Sequence, residues 1–151
     1  MFGRCAVVAV LLIPFLVLAI LGLIVSLISH TAALLGLPQP LAPWMLHIGI
    51  FVVGLPTLIV FIRLAPEKAG RDFPWKLIER RCPPWLWLMT FGCFAYGIIS
   101  FLVFAALGSR AGTTQGASGP PAVFGGIWMA GYSWIVAALY AAIVEITSTR
   151  R

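Results

Sequence analysis

Four long runs without a charged side chain dominate this sequence: residues 5–29, 44–62, 85–107 and 122–144. A hydrocarbon core about 30 Å thick is crossed by about 20 helical residues, so each run is long enough to span a bilayer. The runs are continuously apolar rather than alternating, which favours helices over barrel strands of about ten residues. The expected fold class is an all-α membrane protein. Its four transmembrane helices form an antiparallel bundle, a single integral membrane domain over residues 1–151.

Composition closes the other classes. Of 151 residues, 62% are hydrophobic and 9% charged, against about 25% charged in an average soluble domain. A soluble globular enzyme needs far more polar surface, and a disordered chain far fewer apolar residues. Three cysteines are too few for a disulfide-stapled module.

The few charges carry the orientation. Arg4 precedes the first run, Arg150 and Arg151 follow the fourth, and Arg63, Lys68, Arg71, Lys76, Arg80 and Arg81 lie between the second and third. Nine of the ten basic residues thus fall on one side, and Arg110 alone on the other. The positive-inside rule then places both termini and the 63–84 connection in the cytoplasm. Compact size and the lack of a eukaryotic targeting pattern point to a bacterial inner membrane. The net charge of +6 is mainly a topology signal, and no nucleic-acid partner is expected. The expected partners are the lipid bilayer, further copies of the chain or other membrane subunits. The first run exceeds the core of about 7–15 residues of a signal peptide, so it is read as a retained span. Trp44, Trp75, Trp85 and Trp87 suit interfacial anchoring, whereas Trp128 and Trp134 lie further inside for packing or lipid contact.

The connections 30–43, with three prolines, and 108–121, rich in glycine, serine and threonine, read as outer hairpin connectors. The 63–84 connection holds six basic residues and three acids, Glu67, Asp72 and Glu79. Two readings of it stand open. Asp72 as N-cap and Pro74 in the first turn predict a short interfacial helix. Its Phe73, Leu77 and Ile78 would face the membrane, and Lys76, Glu79 and Arg80 would face water. The other reading is a solvated loop. Pro83 and Pro84 end the segment either way.

Small residues mark predicted helix packing: Gly22 and Ser26, Gly126 and Ala130, and the ladder Ala137, Ala138, Ala141 and Ala142. Gly92 and Gly97 offer similar gaps. Pro14 and Pro56 each remove a backbone donor within a span. His30 and His47 are the candidate cofactor-binding residues, near the outer ends of neighbouring spans. Such a pair can hold haem axially or contribute to a metal site. No second histidine pair or outer acid completes a metal shell, so no cofactor is expected on balance. Cys5 and Cys82 lie toward the cytoplasmic side, Cys93 reads as a small packing residue, and no Cys-x-x-Cys occurs.

Glu145 closes the fourth run, where a carboxylate opposes the helix dipole and wants a cation. Arg4, Arg63, Arg80 and Arg81 are its candidate partners. Together Arg63, Arg80, Arg81 and Glu145 are read as topology or partner-contact residues. Near mid-membrane the polar set is Thr57, Tyr96, Ser100, Tyr132 and Ser133, with no ionisable acid, lysine, arginine or histidine. Coupled transport and nucleophile–base catalysis both lack their groups there. The expected function is a non-catalytic subunit or accessory protein of a membrane complex. The alternatives are a small channel or facilitator, and a haem or metal redox protein using His30 and His47.

Overall fold

A computed structural model describes residues 2–35, 37, 43–65, 72–110 and 121–148. Five helices follow in order: α1 (Phe2–Leu34), α2 (Pro43–Leu64), α3 (Phe73–Arg81), α4 (Pro84–Arg110) and α5 (Pro121–Ser148). All regular structure among the described residues is helical. The four long helices are each apolar enough to cross a membrane. In hydrocarbon a helix satisfies its backbone groups within itself, which is why unbroken apolar runs take this form. Proline opens α2, α4 and α5, a first-turn position where its missing N–H is no loss.

The helices overrun the expected spans. α1 continues past 29 to Leu34, so His30 lies inside a helix and not at the start of a connector. Nothing in 30–34 breaks a helix, and the Thr31 hydroxyl donates back to the Leu27 carbonyl at 2.9 Å. α4 extends past 107 to Arg110, and α5 past 144 to Ser148, which puts Glu145 within the helix. The rest of the two outer connectors lies largely outside the described residues, as do residues 66–71 of the third connection.

α5 is the hub. It packs against every other helix, and α1 also meets α2. Within the spans 61% of the α5 window is buried, against 17% for α1 and 22% for α2 and α4. The reason is its small residues. Ala137, Ala138, Ala141 and Ala142 are completely buried, and such side chains let neighbouring backbones approach.

Of the two readings of the 63–84 connection, the helix is present. Its apolar face is corrected: Leu77 and Ile78 do not face lipid but are buried in the protein core. α3 packs against α5, and burying two large apolar side chains stabilises it by roughly 3–6 kcal/mol. Asp72 occupies the N-cap position but makes no side-chain cap. Its carboxylate pairs with Lys76 one turn on, which lowers the Asp72 pKa and raises that of Lys76. Both partners are solvent-exposed, so the pair adds little to stability. Trp44 and Trp85 are exposed as anchors should be, whereas Trp128 is fully buried and Trp134 half-buried.

Candidate functional site

Polar side chains gather toward the two ends of α5, around Gly125 and around Glu145, about 30 Å apart at 1.5 Å per residue. At the first end α1 brings Ser26, Ser29 and His30 against the start of α5. The Ser26 hydroxyl donates to the Gly125 carbonyl at 3.3 Å. The His30 ring presses on Gly125 so closely that a Cβ there would lie 2.8 Å from the His30 Cβ. Across the bundle, His30 Nε2 and the Tyr96 hydroxyl of α4 share a hydrogen bond of 2.7 Å, with the rings edge-on. His30 is 3% exposed, and the hydroxyl of Ser29 beside it is buried with no hydrogen-bond partner among the described residues.

His47 has a different setting. It is exposed on α2 and stacks edge-on against Trp128, with centroids 5.1 Å apart. The two histidines proposed as a ligand pair therefore have separate aromatic neighbours. Axial ligation of a haem by His30 would have to displace either Tyr96 from Nε2 or α5 from the Nδ1 edge, since both ring edges already face protein. Among the described residues no cluster of three or more histidine, cysteine or acidic side chains is placed to hold a metal ion.

Of the five mid-membrane hydroxyls, Tyr96 meets His30 and three others are spent on packing. Thr57 donates to the Val53 carbonyl at 2.7 Å, Tyr132 to Leu46 at 2.9 Å and Ser133 to Ala130 at 2.9 Å. A span residue overlooked in the sequence, Thr90, behaves likewise, donating to Leu86 at 2.9 Å and to Ser133 across the α4–α5 contact at 3.3 Å. The signal available for it is a lone hydroxyl inside an apolar run, which in hydrocarbon has only protein acceptors to turn to.

At the other end Glu145 Oε2 accepts from Arg80 Nη2 at 3.0 Å and from Arg81 Nε at 2.6 Å. Of the expected cations the adjacent pair on α3 takes the carboxylate. Arg63 is exposed in the last turn of α2, where it complements the helix dipole, and the side chain of Arg4 lies outside the described residues. The clasp fastens the last turn of α3 to α5. Beneath it the Cys82 thiol donates to the Ala137 carbonyl at 3.3 Å. Burial pushes that thiol up to about 11, so it stays protonated and serves packing.

Glu145 is about one-fifth exposed and Arg81 under one-third, so the clasp is partly shielded from water. Its worth is about 1 kcal/mol, the upper end for pairs of this kind. Glu145→Ala is expected to raise amide hydrogen exchange across residues 73–81 roughly fivefold, the equivalent of that energy. Exchange in α1 should not change. An unaltered α3 would show that Leu77 and Ile78 hold the helix alone.

The small-residue contacts fall where packing needs them. Gly22 faces the Tyr132 ring, and Ser26 meets Gly125. Gly126 and Ala130 both face Gly97. Gly92, in contrast, faces open space.

Against known proteins the chain matches no family profile, no curated protein and no solved structure.

Proposed function

We propose that the chain is a non-catalytic subunit or accessory protein of a membrane complex, acting through helix contacts within the bilayer and through the 63–84 segment at its surface. The observation that carries this reading is the lopsided bundle. α5 is enclosed, while α1, α2 and α4 leave broad apolar faces open, with Leu88, Phe91, Ile98, Ile99 and Leu102 exposed on α4 alone. The hydroxyls of Thr57, Thr90, Tyr132 and Ser133 are satisfied by carbonyls inside the bundle, so the spans offer little free chemistry.

The same reading places the four spans antiparallel, with both termini cytoplasmic, in a bacterial inner membrane. Contact order supports the antiparallel part. Gly22 meets Tyr132 while the later Ser26 meets the earlier Gly125, and Thr90 meets Ser133 while Gly97 meets Gly126. Basic side chains on one side of the spans support the orientation.

Blue-native electrophoresis after extraction in mild detergent tests the reading. A stable oligomer or a larger complex is expected. A strictly monomeric species at native expression overturns it.

A further inference from the structure

At the end of the bundle opposite the Glu145 clasp, three helices close on an ionisable ring. His30 of α1 is buried, shares its Nε2 hydrogen bond with the Tyr96 hydroxyl of α4, and turns Nδ1 toward α5. The fit on the α5 side is tight, since a Cβ at Gly125 would lie 2.5 Å from Nδ1. Polar contacts along this seam are few. Ser26 reaches the Gly125 carbonyl at 3.3 Å, and the Ser29 hydroxyl is buried without a hydrogen-bond partner among the described residues, which weakens the packing around it.

We propose that His30 is an acid-operated latch: its neutral ring holds α1 against α4 and α5, and its protonation releases that end of the bundle. Neutral imidazole and phenol satisfy one another whichever of the two donates. An imidazolium adds a charge that must be paired or hydrated. No acid is in reach to pair it. Glu145 lies about 30 Å along α5, at 1.5 Å per residue, and Glu67, Asp72 and Glu79 belong to the connection at that far end. The other titratable and charged groups around the ring do not help. Tyr96 faces it from α4, whose terminal Arg110 is about 21 Å further along. From α5, Tyr132 packs on Gly22, two turns of α1 away. On α2, His47 stands against Trp128, one turn of α5 beyond Gly125. Between Arg4 and its end α1 has no charged side chain. Hydration therefore requires α1 to part from Gly125 or from Tyr96, which is itself 39% exposed. Once open, the ring is an ordinary imidazole that titrates near about pH 6.5. Acid favours the open form below that value, and the latch holds above it. The latch works whichever way the chain is inserted; the orientation proposed above decides only that the acidity it reads is that outside the cell.

The test alkylates Ser29→Cys in the full chain in mild detergent and reads modification peptide by peptide by mass spectrometry. At each pH the result is expressed relative to Leu35→Cys, exposed just past the end of α1. Native Cys82, buried near the other end, reports opening of the whole molecule. Relative alkylation of Ser29→Cys is expected to rise about tenfold from about pH 7.5 to about pH 5.5, with Cys82 unchanged. His30→Gln keeps a hydrogen-bonding side chain but cannot take the proton, and should abolish the rise. His47→Gln should leave it intact, and Tyr96→Phe should raise alkylation already at neutral pH. Circular dichroism confirms that each variant is folded. Ser26→Cys, on the same seam, is a second reporter that keeps the test decisive if Ser29→Cys disturbs the packing. A flat profile from both reporters in chains that keep His30 overturns the latch. So does a rise that survives His30→Gln or disappears in His47→Gln. Cys82 alkylated in step with Ser29→Cys overturns it as well, because acid then unfolds the molecule instead of opening one end.

Discussion

Gly97→Leu is expected to destabilise the protein by about 3 kcal/mol, the upper end for overpacking, and to separate α4 from α5. The reason is what stands opposite. Even the Cβ of an alanine at 97 would lie 2.8 Å from the Gly126 carbonyl oxygen and 3.5 Å from the Ala130 Cβ. The first of these is helix backbone, which has no rotamer to change. Relief therefore comes only by moving the helices apart, which strains the Thr90–Ser133 contact along the same seam. Gly92→Ala is the matched control, because nothing lies within 4 Å of a Cβ at that position. It should be neutral within about 0.5 kcal/mol, the usual range for surface changes. Thermal unfolding in one detergent, followed by near-ultraviolet circular dichroism, compares the two. Similar losses from both would show that glycine at 97 serves no close approach.

The second large effect centres on Tyr132, whose ring lies between Gly22 of α1 and Gly49 of α2 and whose hydroxyl donates to the Leu46 carbonyl. Tyr132→Ala empties a buried site where three helices meet and is expected to cost about 3–5 kcal/mol. Tyr132→Phe removes only the hydrogen bond, at about 1 kcal/mol. The two glycines then separate by chemistry. An alanine at 49 meets the tyrosine hydroxyl, and the next nearest atom, Cζ, is at an ordinary 3.5 Å. An alanine at 22 meets the ring itself, with Cδ1 and Cζ both at 2.6 Å. Tyr132→Phe should therefore rescue most of the loss caused by Gly49→Ala and little of that caused by Gly22→Ala. A double-mutant cycle measures both couplings. Equal rescue of the two would mean that the ring moves freely in its notch.

Much of the local structure is legible in the chain. Uncharged runs give the four long helices, and the Asp72–Phe73–Pro74 pattern offers α3 as one of two open readings; the prolines at 43, 84 and 121, legible only as parts of the connections, stand at the first position of three helices. Pairs of small residues point to real contacts, Gly126 and Ala130 against Gly97 among them. Glu145 announces its need for a cation by lying alone at a helix end. Which arginine answers it was open among several, and the position of α3 against α5 chose Arg80 and Arg81.

Other features had no signal along the chain. In water a helix shows its buried face as an apolar stripe, but lipid is as apolar as protein interior, so α1, α2, α4 and α5 carry no such stripe. Which face of each span is enclosed is therefore invisible as a stripe, although α1, the most exposed span, is the most apolar on average and α5, the most enclosed, the least. The contacts themselves are set by where small side chains let backbones close in. The same closure buries Leu77 and Ile78 in protein, sets His30 against Tyr96 and sends His47 to Trp128. Sequence alone determined that this chain is helical and where it can cross a membrane, because the cost of unsatisfied backbone in hydrocarbon acts residue by residue. Tertiary structure decided which faces meet, because packing between equally apolar surfaces depends on shape, and shape exists only once the helices are assembled.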